Sequence, residues 1–204
     1  MHDPFVASAK VERGVFERSR KSGHSAAACC AVFAVSLILM IASPGRAIAG
    51  VAPEDLQAAS SSLGFLDSLR RRSVISVGVV YSAAMPSGKE AAVQAAMQLS
   101  GMSGPHSSTI RANGVVAEEL ANDAQRFDVI YLMPSAIADA ALINDYVRQH
   151  RVVSISSDPA CLQVQCCVLM VHAGSSVDIV LDTALADAAG ARFSAVFTMM
   201  VKRK

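Results

Sequence analysis

Three cysteines, Cys161, Cys166 and Cys167, fall within seven residues and form the densest group of chemistry-bearing side chains in the sequence. Thiols can act as redox centres, metal ligands or disulfide partners, and spacing separates these roles. The spacing is not C-x-x-C, so a thioredoxin-type redox centre lacks its motif. A tetrahedral zinc site needs more ligands than this cluster offers. What remains is one local disulfide and one spare thiol in an oxidising compartment. Pairing Cys161 with Cys166 or with Cys167 closes a small loop in either case, worth about 2 kcal/mol of loop-closure entropy. A direct Cys166–Cys167 bond would need a strained peptide. The odd thiol also permits a disulfide-linked homodimer.

Two loops carry the other candidates. Ser82, Ser87 and Lys89 follow the apolar run Val74–Tyr81, where a helix N-terminus beyond a strand can hold an anion. Gly88-Lys89 looks like the end of a P-loop, but Glu90 stands where Ser or Thr is required and the nearest preceding glycine, Gly78, lies inside the apolar run. Nucleotide binding is therefore not expected, and no cofactor motif is present. Ser157 and Asp158 end the segment SISSDP, a second candidate ligand or partner loop. No G-x-S-x-G elbow surrounds its serines, and Asp158-Pro159 reads as a turn or helix start. The five histidines show no metal-ligand spacing. A catalytic set is not expected.

The elements that position these loops are legible from hydrophobic pattern. Pro53–Arg72 reads as a helix, with Leu56, Leu63, Leu66 and Leu69 on one face and Arg70, Arg71 and Arg72 at its cation-favouring end. Val74–Tyr81 is a continuous β-branched run, as in a parallel strand buried on both faces. Lys89–Leu99 reads as an Ala-rich helix, Ser107–Arg111 as a weak strand, Asn113-Gly114 as a turn and Val115–Ala124 as a short helix. Asp128–Met133 is a strand ended by Pro134, Ala136–His150 a helix, and Val152–Ile155 a strand. Val168–Val171 and Val177–Leu181 read as a hairpin. A helix over Asp182–Ala189 stopped by Gly190, an apolar segment Phe193–Val201 and a basic tail Lys202–Lys204 complete the chain. Strands alternating with helices imply one small α/β domain. Its sheet is mostly parallel and flanked by helices, with an antiparallel C-terminal hairpin.

The first 49 residues read as a secretory signal peptide. Lys10, Arg13, Arg18, Arg20 and Lys21 form a positive n-region, Ala26–Ala42 an apolar core, and Ala47-Ile48-Ala49 an A-x-A cleavage site. An uncleaved membrane anchor is the rival, since the apolar core is at the short limit for a span. Export to the periplasm leaves residues 50–204, about 155 residues with a net charge of about −2. That charge, with no basic stripe and no aromatic platform, argues against nucleic acid as a partner.

The C-terminal third, from VVSISSDP through the cysteine loop, VLMVHAGSSVDIVLD, TALADAAG and ARFSAVFTMM, resembles the YfiR/HmsC-like family of periplasmic proteins. Ser157-Asp158, Gly174, Asp182 and Ala188-Ala189-Gly190 carry the likeness over about 50 residues, and about 80 more match in pattern. Asp182 stands where Asn is usual, and Gln165-Cys166-Cys167 replaces a region that often holds a glycine. The resemblance implies a disulfide between Cys161 and Cys167. It also implies a non-catalytic regulator that restrains a membrane-bound diguanylate cyclase through its periplasmic sensor region, and so controls cyclic di-GMP and biofilm formation. The strand-loop-helix from Val74 to Leu99 supports an alternative: a small-ligand binding domain like one lobe of a periplasmic substrate-binding protein.

Overall fold

The computed structural model describes residues 50–122 and 126–204. The signal peptide expected over residues 1–49 lies outside the described residues, as does the end of the helix expected over Val115–Ala124.

Strand β1 (Val74–Tyr81) is an interior strand, paired on both sides. Ile75, Val77, Val79 and Val80 are all buried, as an apolar β-branched run covered on both faces requires. On one side β1 pairs in parallel with β2 (Thr109–Val116) along its full length, from Val74 opposite Thr109 to Tyr81 opposite Val116. On the other it pairs in parallel with β3 (Val129–Leu132). Parallel pairing continues to β4 (Val153–Ser156) and β5 (Leu169–Ala173). β5 turns back into β6 (Val177–Leu181), with Leu169 opposite Leu181. β7 (Lys202–Arg203) closes that edge parallel to β6. Among the described residues the order is β2-β1-β3-β4-β5-β6-β7. The chain is thus the expected α/β domain, a mostly parallel sheet with an antiparallel C-terminal hairpin.

The helices are α1 (Pro53–Ser62), α2 (Pro86–Gly101), α3 (Ala140–His150), α4 (Ala160–Gln163), α5 (Thr183–Ala188) and α6 (Ala195–Met200). α2 buries Ala91, Ala92, Ala95 and Ala96, whose short side chains let the helix lie close on β1 and β2. The crossovers β1–α2–β2 and β3–α3–β4 leave the β1/β3 boundary in opposite directions. Right-handed connections then put α2 and α3 on opposite faces of the sheet.

Several expectations need correction. The first helix ends at Ser62, not Arg72, and two 3₁₀ turns follow at Leu63–Phe65 and Asp67–Leu69. The cause is pairing with a distant segment. Leu66 bridges Phe193, the Asp67 N–H donates to the Arg192 carbonyl at 3.0 Å, and the Ser194 N–H donates to the Phe65 carbonyl at 2.9 Å. The four leucines of the expected face are nonetheless all buried. Arg72 is not simply a solvated helix end, since it meets the Asp128 carboxylate at 3.1 Å. Asn113-Gly114 is not a turn, because β2 runs straight through both on the sheet edge and continues to Val116. Only a 3₁₀ turn over Ala117–Glu119 follows, where a helix is expected. α2 begins at Pro86, three residues early, with the proline in the first helical turn where its missing N–H costs nothing. The basic tail is a strand: the Lys204 N–H donates to the Leu181 carbonyl at 3.0 Å, and Lys202 pairs with Asp178 at 2.8 Å.

Candidate functional site

The strand order reverses between β1 and β3, and in open α/β sheets the crevice beyond the carboxyl ends of such a strand pair is where ligands bind. Here it is a hollow of about 270 Å³ between the start of α2 and the segment that follows β3. Met85, Ala91, Met133 and Pro134 form its apolar walls, and Ser87, Gly88 and Ser135 contribute its polar atoms. Pro134 stops β3 and opens a 3₁₀ turn, Pro134–Asp139, which turns Ser135 inward.

Ser135 is the unusual residue. It is 8 % exposed, and its Oγ is buried without a hydrogen-bond partner. A buried hydroxyl left unpaired costs about 1–3 kcal/mol, so such groups are rare in a settled core. Opposite it, Gly88 keeps the space open. A Cβ built on Gly88 would lie 3.0 Å from the Ser135 Oγ. The first turn of α2 adds positive partial charge. Of its amides, Pro86 has no N–H and the Gly88 N–H donates to the Met85 carbonyl at 2.9 Å, which leaves Ser87 without an intrahelical acceptor.

The loop residues singled out from sequence are not all brought to this crevice. Ser87 lines it and is exposed. Lys89 is exposed two residues further into α2 and does not line it. Ser82 is buried at the end of β1, where its Oγ accepts from the Ala84 N–H at 3.4 Å and shapes the loop. Ser157 and Asp158 sit one strand over, beyond β4. The Ser157 Oγ accepts from the Tyr131 hydroxyl at 3.1 Å. The Asp158 carboxylate accepts from the Ala160 N–H at 2.9 Å and starts α4. Burial holds the Tyr131 phenol well above its usual range, so it stays a neutral donor. Ser135 itself carries no motif; the one hint is its place just after an apolar strand that ends at a proline.

Cys161 and Cys167 form a disulfide with Cα atoms 5.4 Å apart, while Cys166 is a buried free thiol. Burial pushes the Cys166 thiol up to about 11 from its ordinary 9.0, so it is protonated at neutral pH and a poor nucleophile. Asp182 caps α5 through its carboxylate, which accepts from the Leu185 N–H at 2.9 Å. Asn serves equally well at that position, so this departure from the resembled family keeps the structural role.

A larger open groove of about 710 Å³ lies between α1 and the β5–β6 hairpin. It is lined mainly by apolar groups, including Phe65, Met102, Val177 and Ile179. Size alone favours this groove. The crevice is the better site because it combines a switch point, a helix start and an unpaired buried hydroxyl. Among the described residues no group of three His, Cys, Asp or Glu side chains could hold a metal ion, and no helix is long and apolar enough to cross a membrane.

No family profile matches the chain, and no curated protein matches it. Solved structures do share its fold. The ABC domain in complex with L-Trp from Streptococcus pneumonia superposes with a TM-score of 0.53 at 10% identity, over 74% of this chain and 60% of that one. The ligand-free, open form of a substrate-binding protein with adhesive properties from Clostridium difficile gives 0.50 at 9% identity, over 64% and 54%. A conserved domain protein from Vibrio cholerae gives 0.50 at 11% identity, over 74% and 60%. The chain spans 54–60% of the length of these structures. At such identities the likeness is one of fold.

Proposed function

We propose that the chain is an exported domain that binds a small molecule in the switch-point crevice, in the manner of one lobe of a substrate-binding protein. The observation that carries this reading is the buried, unpartnered Ser135 hydroxyl facing Gly88. A folded protein tolerates that cost most readily where a ligand supplies the missing partner. The fold likeness to a substrate-binding protein and to a domain holding L-Trp supports it. Thermal unfolding of the full chain against a metabolite library tests it. A true ligand at 100 times its Kd adds about 2.7 kcal/mol of stability, which raises Tm by about 5–10 °C for a domain of this size. No compound raising Tm, or a rise that persists in Gly88→Ala, refutes the reading.

A second reading keeps the regulatory role implied by the C-terminal resemblance: a periplasmic protein that restrains a membrane-bound diguanylate cyclase. The Cys161–Cys167 bridge is the pairing that the resemblance implies, and the regulatory role itself rests on the resemblance. Unchanged cyclic di-GMP on deletion of the protein, with no membrane sensor co-purifying, counts against it. Both readings describe a binding protein rather than an enzyme.

A further inference from the structure

We infer that the switch-point crevice is selective for a small monocarboxylate with a compact apolar substituent and no ammonium group, its carboxylate received by the Ser135 hydroxyl and the first turn of α2. This rests on the ligand-binding reading above and narrows it to a chemical class.

Three features of the crevice lead there. The donors are a hydroxyl with nothing to hold it, the Ser87 hydroxyl and amide, and the positive end of a sixteen-residue helix. These favour negative charge. Because the Ser135 Oγ is unheld, a rotation about χ1 turns it to a bound oxygen without breaking a bond in the protein. Second, no carboxylate lines the crevice. An amino acid would therefore bury its ammonium against apolar walls with no counter-charge, at a large desolvation cost. Third, no Lys or Arg lines the crevice, so a phosphate dianion would find only neutral donors. Met85, Ala91, Met133 and Pro134 instead offer contact for a short hydrocarbon, and about 270 Å³ limits its size.

The test is calorimetric titration of the full chain with 3-methylbutanoate, 3-methylbutanamide, L-leucine and inorganic phosphate. The amide removes the charge, L-leucine adds an ammonium group and one carbon, and phosphate supplies charge without a hydrocarbon. The carboxylate is expected to bind, with the amide and L-leucine each at least about tenfold weaker. Phosphate is expected to give no measurable heat. A hydrogen bond to a charged group contributes roughly enough for Ser135→Ala to weaken the carboxylate about tenfold or more. Ser135→Ala removes an unpaired group and so should fold, and Gly88→Ala, which fills the space between Gly88 and Ser135, is the second variant and should abolish binding. The inference falls if the amide or L-leucine binds as tightly as the carboxylate, if phosphate binds in preference, or if Ser135→Ala binds unchanged. Where none of the four probes binds but a library compound raises Tm in wild type and not in Gly88→Ala, the ligand-binding reading stands and the carboxylate inference fails. Where nothing binds, both fail.

Discussion

Replacing Gly88 with alanine should produce a protein that is more stable and yet unable to bind. Gly88 is the third residue of α2, and a helical glycine costs roughly 0.5–1 kcal/mol relative to alanine. The left-handed φ that would forbid a side chain is absent: among the glycines of the described residues, Gly190 is the one with positive φ. The new methyl would lie 3.0 Å from the Ser135 Oγ, 3.5 Å from the Ser135 Cβ and 3.6 Å from the Ser82 carbonyl. The latter two are ordinary contacts. The close one involves a hydroxyl that makes no hydrogen bond, so it can swing aside at little cost. The net change is a gain of about 0.5 kcal/mol, the low end of the range because the first helical turn is partly solvated. Urea unfolding should show a higher midpoint with unchanged slope. Titration should show no ligand binding, because the methyl occupies the position facing Ser135. A loss of more than about 1 kcal/mol would refute the reasoning, since it would mean that Ser135 is held in place after all. Retained binding would refute the location of the site.

Other parts of the structure make separate predictions. The Cys166 thiol is raised to about 11, so the folded state holds its proton more tightly than the unfolded chain. Its contribution is intact below about pH 9 and is lost as pH rises toward 11, with a slope of up to about 1.4 kcal/mol per pH unit; urea midpoints that stay flat over that window would contradict this. Native protein at pH 8 should resist alkylation at Cys166 and react fully once unfolded. Reducing the Cys161–Cys167 bridge, which closes a loop with a sequence separation of 6, should cost about 2 kcal/mol in urea unfolding without loss of the fold. Gly78→Ala in β1 should destabilise by about 1–3 kcal/mol, because the methyl would meet three carbons of the Phe127 ring at 3.0–3.1 Å; a neutral outcome would show that the ring moves freely.

The parts of this fold that sequence reveals are those whose stability is local or uniformly apolar. VISVGVVY and DVIYLM announce buried parallel strands because their apolar residues fall on both faces of the strand, and the β5–β6 hairpin follows from two apolar runs joined through Gly174. The parts that stay hidden depend on distant chain. Nothing near Leu66 says that it will leave a helix to pair with Phe193. β2 is a poor strand by composition, with Asn113 and Gly114 in it, and it exists because β1 offers a template over its full length. The candidate site is hidden for the same reason. Ser87 is visible as the start of a helix after a strand, but Ser135 becomes interesting only when β3 is known to lie beside β1. Strand order cannot be read from periodicity, and the unpaired state of one hydroxyl leaves no mark in the sequence.

The account depends most on the crevice between β1 and β3 being where a ligand sits. Amide chemical-shift mapping of the full chain during titration with 3-methylbutanoate tests this most directly. The prediction is saturable shifts concentrated at Ser87, Gly88 and Ser135. Shifts concentrated instead at Phe65, Val177 and Ile179, in the groove between α1 and the hairpin, would contradict it, and no saturable shifts at all would overturn the choice of a carboxylate as its ligand.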